Sequence, residues 1–158
     1  PGANGVLFLP FINGERAPFS CPQATGAFLG LRNSTGPADL ARACVEGIAY
    51  SARHCLAAMR STPPRQALLS GGASKNAVFC QIFADALGIP LGLAPAYPGA
   101  AGAAALLKKG LGLPWRSSSK AEVAFLPSQA DRHVYAAGFR DYLRSISALF
   151  PGVMGKSP

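Results

Sequence analysis

Acidic residues are the scarcest feature of this sequence: seven Asp and Glu stand against fifteen Lys and Arg, a formal net charge of +8 over 158 residues. A chain with 14% charged and 49% apolar residues is not a solvating or disordered segment, because it has enough apolar surface to build a core. Long apolar runs are also missing. The emptiest stretch for charge, Leu87 to Leu107, is broken by Gly88, Pro90, Pro95, Pro98, Gly99 and Gly102. It falls short of the roughly 18 uninterrupted apolar residues of a membrane span. The four cysteines (Cys21, Cys44, Cys55, Cys80) form no Cys-x-x-Cys pair, and His54 and His133 have no metal-ligand spacing. They read as small core residues of a reduced, cytoplasmic protein, with no metal site. No aromatic residues interleave the basic ones as in a nucleic-acid stacking platform. The basic balance therefore reads as an ordinary surface with no nucleic-acid partner. The competing reading is an interaction module for nucleic acid or an acidic partner, which predicts steeply salt-dependent binding to generic DNA. The chain starts at Pro1 with no signal-peptide pattern, and we read it as beginning partway into a longer protein.

Eighteen glycines and fourteen prolines divide the chain into short segments. Val6 to Ile12 is an apolar run ending at the turn signal Asn13-Gly14, and it predicts a buried strand. A second short strand is expected over Gly26 to Leu31. Ser34-Thr35 and Pro37 start a helix whose apolar residues Leu40, Cys44, Ile48, Cys55 and Met59 recur at helical spacing. Asp39, Arg42, Glu46 and Arg53 take its polar face, and Pro63-Pro64 closes it. Gln66 to Ser70 predicts a strand. Gly71-Gly72-Ala73-Ser74 then turns the chain into a helix with Val78, Phe79, Ile82, Phe83, Ala86 and Leu87 on one face, stopped at Gly88. Leu91 to Ala94 predicts a strand, Ala100 to Lys109 an Ala-rich helix, Leu113 to Pro127 a loop, and Gln129 to Phe150 a last helix. Alternating strands and helices imply an α/β layer arrangement. One domain is expected over 1–150, with a fraying tail at 151–158.

The segment Leu68 to Asn76 concentrates the chemistry. Strand, glycine turn and helix start follow each other, and glycine lets backbone approach a ligand with no Cβ between. Free N–H groups at a helix start suit phosphate. Ser74 is a candidate helix cap, and the Asn76 amide can hydrogen-bond a base or ribose. Taken alone, a Gly-Gly turn before a helix is common and reads first as a plain structural turn.

The stretch that follows, Gln81-Ile82-Phe83-Ala84-Asp85-Ala86-Leu87-Gly88, resembles the Q-x-x-A-D-x-x-G adenosine-binding signature of FGGY carbohydrate kinases. Phe8-Leu9-Pro10-Phe11 with Gly14-Glu15-Arg16-Ala17-Pro18, Gly26 to Leu31, Ala41 to Tyr50 and Gly102-Ala103-Ala104 resemble other blocks of that family, in the same order. The resemblance implies an α/β, actin-like (ribonuclease H-like) C-terminal lobe, incomplete on its N-terminal side. It also implies a kinase using ATP and Mg2+ on a small-molecule sugar bound through an N-terminal lobe, nearest to the pentulose kinases, with no membrane role and with homodimer formation open. By resemblance Gly72, Ala73 and Asn76 contact the nucleotide, and Gly71 completes the turn. The family's Asp-x-Gly-Thr phosphate loop is absent here, so no catalytic residue is assigned and this part alone is expected to be inactive; a catalytically inactive kinase homologue is the alternative within the family. Glu15, the only loop acid near a family motif, is expected to pin its loop beside Arg16. Two departures stand out: Ser70 occupies a position that is often glycine, and no carboxylate lies between Ala96 and Ala101.

Overall fold

The computed structural model describes residues 1–59, 62, 64–94, 97–114 and 123–152. Their order is β1 (Leu7–Leu9), β2 (Ala27–Leu29), α1 (Pro37–Ala58), β3 (Ala67–Leu69), a 3-10 turn (Gly72–Lys75), α2 (Ala77–Leu87), β4 (Leu91–Leu93), α3 (Pro98–Gly110), β5 (Val123–Phe125) and α4 (Arg132–Leu149), after an opening 3-10 turn at Ala3–Gly5. The strands form two small sheets. β1 pairs antiparallel with β2, while β4 lies between β3, its parallel partner, and β5, its antiparallel one.

α1 is the organising element. Pro37 opens it at a position where a missing N–H costs nothing, and the Asp39 carboxylate accepts the Gly36 N–H at 2.9 Å. Thr35 does not cap it; its hydroxyl accepts the Arg32 N–H and closes the preceding turn. α1 packs on β1, α2 and α4. Gly47 makes the first contact possible, because a Cβ there would strike the Phe8 carbonyl oxygen. Leu9, Phe11, Tyr50, Tyr135, Tyr142 and Ile146 are almost fully enclosed in the main core, with Cys80, Phe83 and Leu91 from the α2–β4 side.

Some expectations are corrected. Glu46 is not on a solvated face: it is 3% exposed, accepting from the Gly2 N–H at 2.9 Å and from Arg42 Nε at 2.8 Å. Arg42 donates on to the Tyr135 hydroxyl at 3.0 Å, which ties the N-terminal turn, α1 and α4 together. A buried carboxylate needs such partners. Arg53 likewise turns inward, lying 4.4 Å from the Phe139 ring centre and donating to the Ala86 carbonyl. Ile48, Met59 and Val78 are exposed although they lie at apolar positions of their helices. The segment expected as loop from Leu113 to Pro127 contains β5; its residues 115–122 lie outside the described residues, as do 153–158 of the expected tail and Pro63. α4 begins at Arg132 rather than Gln129. All four cysteines are free. No helix among the described residues is long and apolar enough to cross a membrane.

His54 sits among the rings of Phe19, Phe139 and Tyr142, and its buried Nδ1 has no hydrogen-bond partner among the described residues. Burial lowers its pKa below the usual histidine value, and the nearby Glu15 charge opposes that shift only in part. The unfolded chain therefore takes up this proton at a higher pH than the folded one. Stability is held above about pH 6.5 and lost as the pH falls from there towards the folded-state pKa. The thermal midpoint is expected to drop on going from pH 7 to pH 5, with a smaller drop in His54→Gln. Equal pH dependence in the two proteins would contradict this.

Candidate functional site

β3 ends at Leu69, and the chain leaves it through Ser70 into Gly71. Gly71 has φ 91° and ψ −173°, a region essentially closed to residues with a Cβ. That one backbone setting swings the chain into the tight turn Gly72–Lys75. Ser74 is not the cap of α2, contrary to expectation. Its N–H and its hydroxyl both donate to the Gly71 carbonyl, at 3.2 and 2.7 Å, and so hold the bend closed. The buried Cys80 thiol supports it from beneath with a 3.4 Å contact to the Ser74 carbonyl. Asn76 is the cap: its side-chain oxygen accepts the Phe79 N–H at 3.1 Å, and α2 begins at Ala77.

The bend faces open space. β3 and β4 run parallel, Leu69 beside Leu93, so the connections that follow both strands emerge at the same end of the sheet. The Ala94 N–H donates to the Leu69 carbonyl at 2.9 Å and locks the two exits together. Between them lies a hollow of about 430 Å3, lined by Ser70, Gly71, Gly72, Ser74 and Lys75 on one side and Ala94, Tyr97 and Pro98 on the other. The crevice beyond the carboxyl ends of parallel strands is where open α/β sheets bind ligands.

The donor set of this hollow fits an anion. Gly72 and Ala73 open the 3-10 turn, so their N–H groups have no carbonyl one turn back within it. A Cβ at Gly71 or Gly72 would meet nothing within 4 Å, so a ligand can approach the backbone there. Lys75 is the charged residue of the lining, and among the described residues no acid lines it. A second hollow, of about 390 Å3, lies between the N-terminal turn and α4, but Glu46 and Asp141 face into it. Those carboxylates suit a polyphosphate poorly.

Of the residues singled out from sequence, Gly71 and Gly72 line the hollow together. Ala73 and Asn76 are exposed on the same turn but outside the lining. Asn76 has its side-chain oxygen committed to the cap, and its NH2 group has no partner among the described residues. Tyr97 and Lys75 were not singled out. Only the parallel register of β3 and β4 brings Tyr97 opposite the bend, and nothing local in the sequence signals it.

Like Glu46, the other two acids within the family-like blocks have structural partners. The Glu15 carboxylate accepts from the backbone N–H of Arg16 at 2.8 Å and of Ala17 at 3.3 Å, holding its loop through the main chain rather than through the Arg16 guanidinium. Asp85, 8% exposed, accepts from Gln81 Nε2 at 2.9 Å and from the Ser128 N–H at 2.7 Å, which anchors the approach to α4 onto α2. Among the described residues, no three His, Cys, Asp or Glu side chains converge on a point where a metal ion could be held.

Comparison with known proteins agrees with this architecture. A sequence profile described as FGGY family of carbohydrate kinases, C-terminal domain, matches residues 1–108. The xylulose kinase of Escherichia coli (strain K12) is 38% identical over 88 residues, covering 54% of this chain and 18% of that protein. The glycerol kinase of Thermus brockianus is 36% identical over 152 residues, covering 87% of this chain and 30% of that protein. The crystal structure of a ligand-bound xylulose kinase from Lactobacillus acidophilus superposes with a TM-score of 0.86 at 25% identity, over 98% of this chain and 33% of that one. The chain thus spans a third or less of the length of these relatives.

Proposed function

The chain belongs to the FGGY family of carbohydrate kinases, as a C-terminal domain of the actin-like ATPase fold, and on that premise we propose that it supplies the adenine-nucleotide side of an ATP-dependent kinase phosphorylating a pentulose such as xylulose. The observation that carries the proposal is the Gly71 bend, which presents bare main-chain N–H groups and Lys75 to a hollow at the carboxyl end of parallel strands.

Bound ATP, with Mg2+, supplies the phosphoryl group that a sugar hydroxyl accepts. The chain's own part is to bind and orient. The Gly72 and Ala73 N–H groups donate to phosphate oxygens, with Gly71 setting their direction. The Lys75 ammonium offsets phosphate charge. The Asn76 NH2 is left to donate to the base or ribose. Such fixed donors serve phosphoryl transfer because that chemistry depends on positioning and charge stabilisation. No side chain of this chain is assigned the role of taking the proton from the sugar hydroxyl. The sugar is a small molecule, and the enzyme works in the cytoplasm without nucleic acid or membrane. Xylulose is preferred because two of the three relatives above are named xylulose kinases; the third is a glycerol kinase.

The test is ADP release by the intact protein with ATP and Mg2+, using xylulose, ribulose, gluconate and glycerol in turn. Release that depends on xylulose is expected. No sugar-dependent release would remove the kinase reading, and release with glycerol alone would remove the pentulose.

A further inference from the structure

We infer that Tyr97 is the base platform of the hollow: its ring stacks on the purine of the nucleotide, while the bend and Lys75 hold the phosphates at the other end. The inference rests on the nucleotide reading above and adds to it a residue and an orientation.

Three observations converge on this side chain. Tyr97 lines the hollow opposite Gly71 and Gly72, and among the described residues it is the only aromatic one that does. It is 82% exposed, so its ring adds little to the core. Its backbone has φ 57° and ψ 53°, one of three non-glycine residues with positive φ among those described, and the other two lie together at Ala3 and Asn4.

Each of these is awkward for a purely structural Tyr97. A side chain in the left-handed region costs backbone energy that glycine or asparagine would largely avoid. Here neither burial nor a capping bond offsets that cost, since the Tyr97 side chain makes no cap to α3. Pro98 follows at the first helical position and further restricts the chain at this point. A large ring held in an unfavourable backbone state and left facing a cavity is most simply accounted for by an occupant of that cavity.

The chemistry selects the occupant. A phenol ring offers a flat π-face to any planar base and no carboxylate to repel the phosphates. Across the hollow, Lys75 and the Gly72 amide offer charge and a donor but no flat apolar surface. The two walls therefore match the two halves of a nucleoside diphosphate. Stacking is tolerant of base identity, so Tyr97 contributes to the affinity for any purine and distinguishes a nucleotide from a bare polyphosphate.

The experiment is isothermal titration of the intact protein with ADP and, separately, with pyrophosphate, both with Mg2+, for wild type, Tyr97→Phe, Tyr97→Ala and Tyr97→Gly. Tyr97→Ala is expected to weaken ADP binding about tenfold or more and to leave pyrophosphate binding unchanged. Tyr97→Phe keeps ADP affinity within about twofold, because the ring and not the hydroxyl does the stacking. Tyr97→Gly is expected to weaken ADP as alanine does while raising the thermal midpoint, because it relieves the backbone. This pairing of greater stability with weaker binding would not arise from a residue that only shapes the loop. Wild-type ADP affinity in Tyr97→Ala, or an equal loss for ADP and pyrophosphate, overturns the role of Tyr97 and leaves the nucleotide site standing. Failure of the wild type to bind ADP removes the nucleotide reading and this inference with it.

Discussion

Gly47→Ala is expected to destabilise the protein by about 3 kcal/mol, enough to lower the folded population visibly in a domain whose total stability is of order 5–15 kcal/mol. Alanine is the better helix former by about 1 kcal/mol, so propensity alone predicts the opposite sign. Packing decides the outcome. The added Cβ would overlap the Phe8 carbonyl oxygen and come within 3.1 Å of its carbon and 3.2 Å of Phe8 Cβ. The main obstruction is backbone of β1, already paired through Phe8↔Phe28 with β2, and cannot rotate aside as a side-chain tip can. Helix and strand must separate, and the core around Leu9 and Phe11 loosens with them. Gly102→Ala in α3 is the control. Nothing lies within 4 Å of its would-be Cβ, and a gain of about 0.5–1 kcal/mol is expected. Urea unfolding of the two variants checks both signs. A Gly47→Ala protein as stable as wild type would show that α1 and β1 are not seated as described.

The second large effect is on binding. Gly72→Glu is expected to weaken ADP binding about a hundredfold or more, roughly 2.7 kcal/mol, with stability changed by no more than about 0.5 kcal/mol. The fold tolerates the substitution because Gly72 has no positive φ and open space surrounds its would-be Cβ. The new carboxylate would enter the hollow beside Lys75, where it occupies volume and neutralises the charge that attracts phosphate. Gly71→Ala separates the two effects. Its side chain also meets nothing, but its backbone sits at φ 91° and ψ −173°. It is expected to lose about 1–3 kcal/mol of stability along with nucleotide affinity. Titration calorimetry with ADP, paired with thermal unfolding, reads both. Undiminished ADP affinity in Gly72→Glu would move the site elsewhere.

What the sequence disclosed was local in origin. The existence of α1, Pro37 at its start, the Gly88 stop of α2 at φ 70° and the strand-to-turn passage at Gly71-Gly72 each depend on a few neighbouring residues and were legible. The rest depended on partners distant in the chain. β5 is three residues long and exists through its pairing with β4, so no periodicity of its own marks it. Glu46 reads as a surface acid on a helical wheel; its burial follows from the return of Gly2 and Tyr135 onto α1, with Arg42 bridging. Ser74 read as the cap, and the 3-10 turn it stands in moves that role to Asn76. The same applies to the site. Its glycine wall is contiguous and readable, while its Tyr97 wall comes from another connection brought alongside by the β3–β4 register.

The most direct measurement is a crystal structure of the intact protein with ADP and Mg2+. The diphosphate is expected within about 3 Å of the Gly72 and Ala73 nitrogens, with the purine on the Tyr97 side of the hollow. ADP bound elsewhere, with the Gly71 bend untouched by any phosphate oxygen, would contradict the account.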